Sequence, residues 1–406
     1  MGLSHQIQGY FRRCTTKQAL ILAAGEGQRL RPFTANKPKV MIPIAGKPML
    51  HYVIESLAQN GILNIVLVVG YKREQVFDYL GTGEEFGVDI TYVTQEKQLG
   101  TAHALAQAEA TVEDEFLVLY GDNLIEADTI AQFVSVKPQA MLVKRVDNPD
   151  RYGVVTIEER VVRDIIEKPE QAESNIVNTG IYAFSKEIFG IIGPELDIPT
   201  VLNNMITQGK RLTAHQTDGT WLDVVYPWDI LSLNDRVIRQ IQANLSGTIE
   251  TGVSLKGVVS VGKDTVIRSN SYIAGPVIIG DNCDIGPNVC LLPATSIGDN
   301  VVISSFTEVK NSVIGNDVNI GPGSIIQDSV IDRGCVIGGQ FTACGGKTDI
   351  KIDREHHSVS VGAMVGEGCN IGNNVVAQPG VIVGNYTQVQ PLKLISDRLP
   401  DRSLVL

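Results

Sequence analysis

The 406-residue sequence predicts an α/β domain built on a parallel sheet, followed by a left-handed parallel β-helix. Up to about residue 225, short continuous apolar runs alternate with segments of helical periodicity, which is typical of a parallel sheet covered by helices on both faces. Beyond residue 249 an aliphatic residue recurs every six positions. That period fits neither a helix nor an alternating strand and indicates a repeat, and the chain is long enough for two domains.

The first predicted strand, residues 19–24, ends in a glycine-rich turn. Gly25 and Gly27 form this turn, and the cationic residues Arg29 and Lys39 follow. A glycine turn lets several N–H groups point at one anion, and Arg and Lys beside it suit phosphate oxygens. The spacing matches neither the dinucleotide fingerprint nor the P-loop. We interpret the stretch as a polyphosphate-binding segment, with an ordinary surface turn as the alternative.

The remaining elements of the first half are predicted by the same patterns: helices over 48–61 and 73–80, and strands over 64–70, 91–95 and 116–120. In parallel sheets ligands bind beyond the carboxyl ends of the strands. The glycine turn, the stretch from Gln95 to Thr101, and Asp122 all fall at such ends. Each has a structural alternative, since Asp122 suits a turn and Thr101 a helix N-cap.

Composition excludes several classes of function. The net charge of −11 argues against non-specific nucleic-acid binding. No apolar run is long enough to span a bilayer, so we expect no membrane insertion. The six Cys form no C-x-x-C pair, and residues 1–17 lack the apolar core of a signal peptide. We therefore expect a cytoplasmic protein with a short N-terminal extension.

An ordered series of motifs resembles the sugar-phosphate nucleotidyltransferases. The motifs are LAAGEGQRLRP, KPK, QLGTAHA, LYGDN, RYGVV, IEKPE, NTGIYAF and TWLDV, and the resemblance covers about residues 18–243. It implies a Rossmann-like nucleotidyltransferase domain. It also implies a reaction in which a sugar-1-phosphate and a nucleoside triphosphate give a nucleotide-sugar and pyrophosphate.

The resemblance implies a role for particular residues. Arg29 would neutralise the leaving pyrophosphate, and Lys39 would hold the α-phosphate or the sugar phosphate. Asp122 and Asp223 would ligate Mg²⁺, a hard ion that prefers carboxylate oxygens. The implied nucleotide-binding residues are Leu22, Ala23, Gly25, Gly27, Gln95, Gly100 and Thr101. The implied sugar-phosphate-binding residues are Gly153, Glu167, Lys168, Asn178 and Thr179.

Two motifs bear on the substrate. The stretch from Gln95 to Thr101 is similar to that of UTP-using N-acetylglucosamine-1-phosphate enzymes. The motifs around Glu167 and Asp223 are nearer to thymidylyl-type and archaeal enzymes. We expect UTP with N-acetylglucosamine-1-phosphate or glucose-1-phosphate as substrates.

The six-residue period runs from Ile249 to Val309, slips twice by one residue, and is predicted to return at Val359. Three hexads make one triangular coil of a left-handed β-helix. The repeat resembles that of acyltransferases, which implies a homotrimer or larger homo-oligomer. We expect the break between Ile337 and Val359 to be a polar loop, and the alternative is an arm that reaches the acyl-CoA groove of a neighbouring subunit.

The two-domain plan is similar to that of bifunctional acetyltransferase–uridyltransferases, which implies acetyl-CoA as a further substrate. Where their catalytic His aligns, this chain has the segment 320–325, IGPGSI, without His. The Asn-rich segment expected next reads FTACGG, residues 341–346. The resemblance therefore leaves acetyl transfer open.

These observations predict four regions: an extension at 1–17, a nucleotidyltransferase domain at 18–226, a linker helix at 227–246 and a β-helix at 247–406. A non-catalytic regulatory or scaffold subunit is the alternative of another class. We expect such a subunit to lose the residues that bind phosphate and metal. Arg29, Lys39, Asp122 and Asp223 are all present here.

Overall fold

A computed structural model describes residues 17–352 and 355–406. The chain forms two compact units. The first unit holds the chain up to Glu26 together with Pro38–Met41 and Met49–Asp223, and the second holds Gly27–Lys37, Ile42–Pro48 and Val224–Leu406. The predicted extension lies, apart from its last residue, outside the described residues. The domain boundaries at 226 and 246 stay a prediction.

The strands of the first half are, in chain order, β1 (Gln18–Ala23), β2 (Pro43–Ile44), β3 (Lys47–Pro48), β4 (Asn64–Val69), β5 (Asp89–Thr94), β6 (Glu115–Tyr120), β7 (Asn123–Ile125), β8 (Ala140–Arg145), β9 (Gly153–Glu158), β10 (Val161–Glu167), β11 (Ile176–Ser185), β12 (Thr213–Thr217) and β13 (Trp221–Asp223). The helices are α1 (Met49–Gln59), α2 (Arg73–Leu80), α3 (Thr101–Gln107), α4 (Ala127–Ala131), α5 (Phe189–Ile192), α6 (Ile198–Thr207) and α7 (Asp229–Ile238). Short 3₁₀ helices cover Gln28–Leu30, Lys39–Met41, Glu84–Phe86, Pro149–Arg151 and Lys186–Ile188. In the described part of the chain, no helix has the length and apolar content needed to cross a membrane.

The first unit is built on a nine-stranded sheet with the order β5-β4-β1-β6-β11-β8-β12-β10-β9. Its first four members are parallel neighbours, as the sequence predicts. The other half is mixed, because β11 runs antiparallel to β6 and to β8. The apolar runs could not indicate this direction, because a strand buried on both faces has the same pattern in either orientation.

Alternate residues of β1 explain why the sheet is covered on both sides. Ala19 and Ile21 join one apolar cluster and Leu20 and Leu22 the other. Each aliphatic side chain that is fully buried in this way contributes about 1.5–3 kcal/mol of transfer free energy. This packing fixes β1 between β4 and β6, and so fixes the loops that leave the carboxyl ends of these strands.

The second half is a parallel β-helix with three faces. Face A contains Asn244–Leu245, Val259–Val261, Val277–Ile279, Thr295–Ile297, Val313–Ile314, Val330–Ile331, Met364–Val365 and Ile382–Val383. Face B contains Thr248–Ile249, Val266–Ile267, Asp284–Ile285, Val302–Ile303, Asn319–Ile320, Val336–Ile337, Asn370–Ile371, Gln388–Val389 and Leu404–Val405. Face C contains Ser254–Lys256, Tyr272–Ala274, Cys290–Leu291, Glu308–Lys310, Ile325–Gln327, Thr342–Ala343, Val376–Ala377 and Leu394–Ile395. The predicted left-handed β-helix is confirmed.

The hexad aliphatics point into the coil, where Ile267, Ile303 and Val309 are fully buried. The predicted linker helix is longer than the observed one. α7 ends at Ile238, and Asn244–Leu245 already pairs with Ser260 and Val261 as the first strand of face A.

The break in the repeat is a β-hairpin, not an irregular loop. Its strands are β14 (Gly346–Ile352) and β15 (Glu355–Val361), paired antiparallel. The coil resumes at Met364, so the prediction that the hexads return at Val359 is wrong, because Val359 pairs with Thr348 inside the hairpin. Its six-residue spacing from Val365 is a coincidence.

α7 packs on face A at the strands Thr295–Ile297 and Val313–Ile314. The amide of Asn234 on α7 donates to the carbonyl of Ala294 at 2.9 Å and accepts from the Ser296 hydroxyl at 2.7 Å. The same amide oxygen accepts from the backbone N–H of Ala45 at 3.1 Å, which attaches the β2–β3 segment to the same unit. This pairing satisfies a buried amide and fixes α7 on the coil.

Candidate active site

The predicted metal ligands meet at a short two-stranded sheet. Asp122 follows β6 after one glycine, and Asp223 ends β13. β13 pairs antiparallel with β7, which places Asp223 opposite Asn123 and therefore beside Asp122 in space. The two carboxylates are 101 apart in sequence number, so only the fold brings them together.

Lys39 joins the two carboxylates. Its Nζ forms an ion pair with Asp122 Oδ2 and lies 3.4 Å from Asp223 Oδ1. Burial alone would lower the pKa of Lys39, but the charges of Asp122 and Asp223 and their hydrogen bonds outweigh it, so its pKa lies above the ordinary value. Lys39 is therefore a permanent cation at neutral pH. Its neighbour Val40 is buried in the sheet's apolar cluster and anchors the 3₁₀ helix that carries it.

The donor set at this cluster fits a hard divalent cation. Mg²⁺ binds through one or two carboxylates and completes its shell with water and substrate phosphates. Asp122 and Asp223 provide two carboxylates, and the ammonium of Lys39 shows that the pair accommodates a cation. Within residues 17–352 and 355–406, no group of three or more His, Cys, Asp or Glu side chains forms a site on its own. Mg²⁺ at these two carboxylates would take its further ligands from water and substrate phosphates.

Three of the predicted sugar-phosphate-binding residues are brought together by the strands. Gly153 pairs with Glu167 at the ends of β9 and β10. A Cβ at Gly153 would lie 2.8 Å from Glu167 Oε2 and 3.6 Å from Asn178 Cβ. Burial, with the charges of Asp197 and Asp223 adding to it, raises the pKa of Glu167 against the opposing charge of Lys168.

The other two predicted sugar-side residues are placed differently. Thr179 is buried, and its hydroxyl donates to the carbonyl of Leu142 at 2.7 Å, so its side chain is engaged in the sheet. Lys168 adopts a left-handed conformation with φ of 46°, and its backbone N–H donates to the carbonyl of Tyr152 at 3.1 Å. Its exposed ammonium is attached to a fixed backbone.

A pair of tyrosines that sequence reasoning missed supports this region. Asn178 Nδ2 donates to the Tyr182 hydroxyl at 2.7 Å, and Tyr182 is hydrogen-bonded to Tyr120. Burial raises the pKa of Tyr120 to about 12, so both phenols stay neutral donors. Gly180 lets the pair form, because it has φ of 75° and a Cβ there would lie 2.5 Å from the Tyr120 ring. A tyrosine directly before the Gly-Asp pair was the available signal.

The predicted base-reading residues form a closed loop. Gln95 is 3% exposed, and its Nε2 donates to the carbonyl of Gly100 at 3.0 Å and lies 2.8 Å from His103 Nδ1. Gly100 has φ of 143°, and a Cβ there would lie 2.2 Å from the Leu196 carbonyl oxygen. Thr101 is the first residue of α3, and its hydroxyl accepts from the Ile198 N–H at 3.0 Å. The buried side chain of Gln95 thus supports the backbone of the loop at Gly100.

The turn after β1 belongs partly to each unit. Leu22 and Ala23 lie in the sheet with buried side chains, so only their backbones are available to a ligand. A Cβ at Gly25 would meet nothing within 4 Å, which means that the turn is open there. Gly27 and Arg29 belong to the second unit, where Gly27 has φ of 76° and its carbonyl accepts from the Thr34 hydroxyl at 2.7 Å. The ligand roles of all these residues stay predictions.

Comparison with known families agrees with this geometry. Residues 18–240 match the Nucleotidyl transferase family, which is more than half of the chain. Residues 273–348 match the GMPPB C-terminal domain, and residues 362–386 match the hexapeptide repeat of succinyl-transferase.

Relatives of known name match over nearly the full length. The bifunctional protein GlmU of Methanocaldococcus jannaschii is 36% identical over 402 residues, which cover 95% of this chain and 97% of that protein. A bifunctional sugar-1-phosphate nucleotidylyltransferase/acetyltransferase of Sulfurisphaera tokodaii is 33% identical, with 92% and 96% covered. A Bacillus anthracis protein assigned as a glucose-1-phosphate thymidylyltransferase, solved with sucrose, is 32% identical with a TM-score of 0.51, and covers 56% of this chain and 97% of its own.

The ordered motifs, the Lys39 cluster and these matches agree with one another. The chain belongs to the sugar-1-phosphate nucleotidyltransferases, in the group that joins this domain to hexapeptide repeats.

Proposed function

We propose that this protein transfers a uridylyl group from UTP to N-acetylglucosamine-1-phosphate or glucose-1-phosphate and releases pyrophosphate. The observation that carries the proposal is the cluster of Lys39, Asp122 and Asp223 at the carboxyl ends of the sheet strands. One cation between two carboxylates is an arrangement suited to a polyphosphate with its counter-ion.

The reaction needs charge neutralisation more than a base. An oxygen of the sugar phosphate, already ionised, forms a bond to the α-phosphorus. The bond from that phosphorus to the bridging oxygen breaks, and pyrophosphate leaves with the electron pair. Catalysis then depends on positioning and on groups that stabilise the developing charge.

Lys39 is the residue best placed for that task. Its raised pKa keeps the ammonium charged, so it can turn from the carboxylates to the α-phosphate or the sugar phosphate. Arg29 neutralises the departing pyrophosphate, and the N–H groups of Gly25 and Gly27 bind the triphosphate. Removing one charge-stabilising group of this kind typically costs about 3–4 kcal/mol of barrier.

Asp122 and Asp223 would hold Mg²⁺. The ion supplies charge neutralisation at the phosphate oxygens when bound. The two carboxylates keep their orientation through the β7–β13 pairing, which places Asp223 opposite Asn123. Because the two carboxylates are paired with Lys39, nucleotide and metal binding are expected to compete with this ion pair.

The sugar is bound by Gly153, Glu167 and Asn178. The missing side chain of Gly153 leaves Glu167 and Asn178 accessible beside each other, which suits two sugar hydroxyls. The loop from Gln95 to Thr101 reads the base through its backbone, since Gln95 is committed to holding Gly100.

The test is a pyrophosphate-release screen across nucleoside triphosphates and sugar-1-phosphates. We expect release that requires both substrates and a divalent cation and is fastest with UTP. Release with no pair of substrates would overturn the proposal, and a preference for dTTP would correct the base.

Acetyl transfer is a second candidate, favoured by relatives that are named bifunctional. The β-helix offers an open groove of about 410 Å³ at the corner between faces B and C, lined by Phe306, Pro322, Gly339 and Asn374 among others. The test is acetylation of glucosamine-1-phosphate by acetyl-CoA. If it occurs and is lost on truncation at residue 245, the β-helix has this activity; if the full chain gives no product, it does not.

We further propose a homotrimer or larger homo-oligomer formed through the β-helix. One row of face C contains four exposed apolar side chains, Tyr272, Ile325, Val376 and Leu394, each 37–60% exposed, and Cys290, Glu308 and Thr342 lie between them in the row. Burying such a row is a strong drive to association. Light scattering after size exclusion tests the proposal, and a monomer at micromolar concentration would contradict it. The cytoplasmic location stays a prediction.

A further inference from the structure

The segment from Gly27 to Lys37 carries Arg29, the residue assigned to the leaving pyrophosphate, and it belongs to the second unit. It contains only one short 3₁₀ helix, Gln28–Leu30. Internal turns, such as the hydrogen bond from the Thr34 hydroxyl to the Gly27 carbonyl, shape the segment locally, and contacts from outside fix its position. Residues of the β-helix provide several of these outside contacts.

The strongest of these contacts is a buried ion pair. Lys37 Nζ lies 2.8 and 3.0 Å from the two carboxylate oxygens of Asp332, and the two side chains are 10% and 6% exposed. Asp332 Oδ1 also accepts from the backbone N–H of Arg333 at 2.8 Å. Asp332 directly follows the face A strand Val330–Ile331, so the coil fixes its backbone.

A buried ion pair is a poor means of gaining stability, because desolvation of both charges offsets their attraction. It is a good means of fixing position, because an alternative position of the segment would leave a buried charge without its partner. The Lys37–Asp332 pair therefore selects one register of the segment on the coil.

Two further contacts lie between Arg29 and Lys37. The side-chain N–H of Asn385 donates to the carbonyl of Pro32 at 3.0 Å. Gly366 allows this close approach, since a Cβ there would lie 2.9 Å from Pro32 Cβ. Asn36 Nδ2 lies 3.4 Å from Glu367 Oε2. Successive coils thus hold successive parts of the segment.

The side chain of Arg29 is partly exposed and contacts the hairpin. Its guanidinium lies 3.8 Å from Glu355 Oε1 on the hairpin, and both side chains are more than a third exposed. An anion can therefore compete for this guanidinium while the backbone that carries it stays fixed.

The geometry points to Asp332 as a positioning residue for nucleotidyl transfer: through its ion pair with Lys37 it fixes the segment that carries Arg29, so that Arg29 meets the departing pyrophosphate. This inference rests on the proposed function. Asp332 acts through Lys37 and touches no substrate. A reacting group misplaced by about 1 Å can cost a hundredfold in rate, so a fixed backbone matters here.

The test is steady-state kinetics of the full chain with Asp332→Asn. This variant keeps the shape of the side chain and removes the charge that Lys37 needs. In the reverse reaction, from nucleotide-sugar and pyrophosphate, we expect the KM for pyrophosphate to rise about tenfold. The KM for the sugar-1-phosphate in the forward reaction stays within twofold, because the sugar-side residues belong to the first unit.

Asp284→Asn is the matched control. It removes the carboxylate of another ion pair of the β-helix, with Arg268 at 2.6 Å, on face B. A merely structural loss lowers kcat in proportion to the active fraction and leaves both KM values unchanged. Hydrogen exchange of the peptide spanning residues 27–37 provides the second readout, and it is expected to accelerate in Asp332→Asn but not in Asp284→Asn.

The kinetics distinguish a failure of this inference from a failure of the proposed function. If pyrophosphate KM in Asp332→Asn equals that in Asp284→Asn while the unsubstituted protein is active, the inference is overturned alone. If the unsubstituted protein releases no pyrophosphate with any substrate pair, the proposed function fails and this inference with it. Should Asp332→Asn not fold, Asn36→Ala decides by the same KM ratio, with a rise of about threefold expected and an unchanged ratio contradicting the inference.

Discussion

Replacing Lys39 by Met removes the cation that lies between the carboxylates of Asp122 and Asp223. At 3.4 Å and an effective dielectric constant of about 20, the attraction between Lys39 and Asp223 is about 5 kcal/mol before desolvation is subtracted. The side chains involved are 16–23% exposed, so solvent reduces this value. We expect Lys39→Met to lower the free energy of unfolding by about 2 kcal/mol without metal, because two carboxylates are left facing each other.

The more informative consequence concerns divalent cations. Mg²⁺ bound as proposed would compete with the ammonium of Lys39 in the unsubstituted protein, and Lys39→Met removes this competitor from the carboxylates of Asp122 and Asp223. Chemical denaturation with EDTA and with Mg²⁺ measures the difference. A ligand at one hundred times its Kd stabilises by about 2.7 kcal/mol. We expect Mg²⁺ to stabilise Lys39→Met more than the unsubstituted protein, although nucleotidyl transfer falls by about 10²–10³.

The double variant Lys39→Met/Asp223→Asn is the control and is expected to lose the gain from Mg²⁺. Equal stabilisation of Lys39→Met and the unsubstituted protein by Mg²⁺ would refute the reasoning. The reasoning would also be refuted if Lys39→Met were more stable than the unsubstituted protein in EDTA, because the ion pairs of Lys39 with Asp122 and Asp223 would then not stabilise the fold.

The stability difference between the unsubstituted protein and Lys39→Met should depend on pH in a defined direction. The pKa of Lys39 is raised above its ordinary 10.5, so the ammonium is charged in both the folded and the unfolded state at neutral pH. The stabilisation is complete below pH 10.5 and is lost only as the pH rises through the raised folded value. We therefore expect the stability difference between the two proteins to be constant from pH 7 to pH 9.

Three further predictions follow from burial and backbone geometry. Because burial raises the pKa of Glu167, the folded protein loses stability as the pH rises from 4.5 through the folded pKa. We therefore expect Glu167→Gln to be more stable than the unsubstituted protein in denaturation at pH 7 and to lose that advantage at pH 4. No advantage at pH 7 would contradict this. Gly180→Ala should lower the free energy of unfolding by about 2–4 kcal/mol, because it combines a positive φ with a clash against a tyrosine ring. Gly61→Ala is the control, since Gly61 has φ of 74° and open space around it, and its expected cost of about 1–2 kcal/mol comes from the φ angle alone. Equal costs for the two variants would contradict the clash. Ile303→Ala should cost about 2–5 kcal/mol in the coil and Val302→Ala, its 39% exposed neighbour, under about 1 kcal/mol, and comparable losses would contradict the inward orientation.

The parts of the fold that the sequence predicted are those with local signals. β1, β4 and β6 are continuous apolar runs, and their observed bounds fall within one residue of the predicted ones. The hexad aliphatics of the β-helix were equally clear, because each one points inward. The hairpin of β14 and β15 carried no such signal, since its residues are mostly polar and Val359 agreed with the period by chance.

The candidate site was predicted less completely. Asp122 and Asp223 were identified by their motifs, and the β7–β13 pairing explains why they meet. The hydrogen bond from Asn178 to Tyr182 depends on the path of β11 around Gly180, which local sequence does not specify. That Gly27–Lys37 belongs to the second unit depends on partners about 300 positions away, such as Asp332 for Lys37.

The roles of particular nucleotide-binding residues stay predictions. Gln95 illustrates the difficulty, since its motif resembles a base-reading residue while its amide nitrogen is committed to Gly100 and His103. The same sequence motif results whether the side chain contacts the base itself or supports a backbone that does. Only the direction of the hydrogen bonds distinguishes them.

The most direct test of the central claim is the rate of pyrophosphate release from UTP and N-acetylglucosamine-1-phosphate by Asp223→Ala. The account predicts that the purified full chain releases pyrophosphate only with both substrates and Mg²⁺. It also predicts that Asp223→Ala, with its fold intact by circular dichroism, is at least about a hundredfold slower, the loss expected for one charge-stabilising group. Undiminished release by Asp223→Ala would contradict the assignment of the Lys39, Asp122 and Asp223 cluster as the site of nucleotidyl transfer.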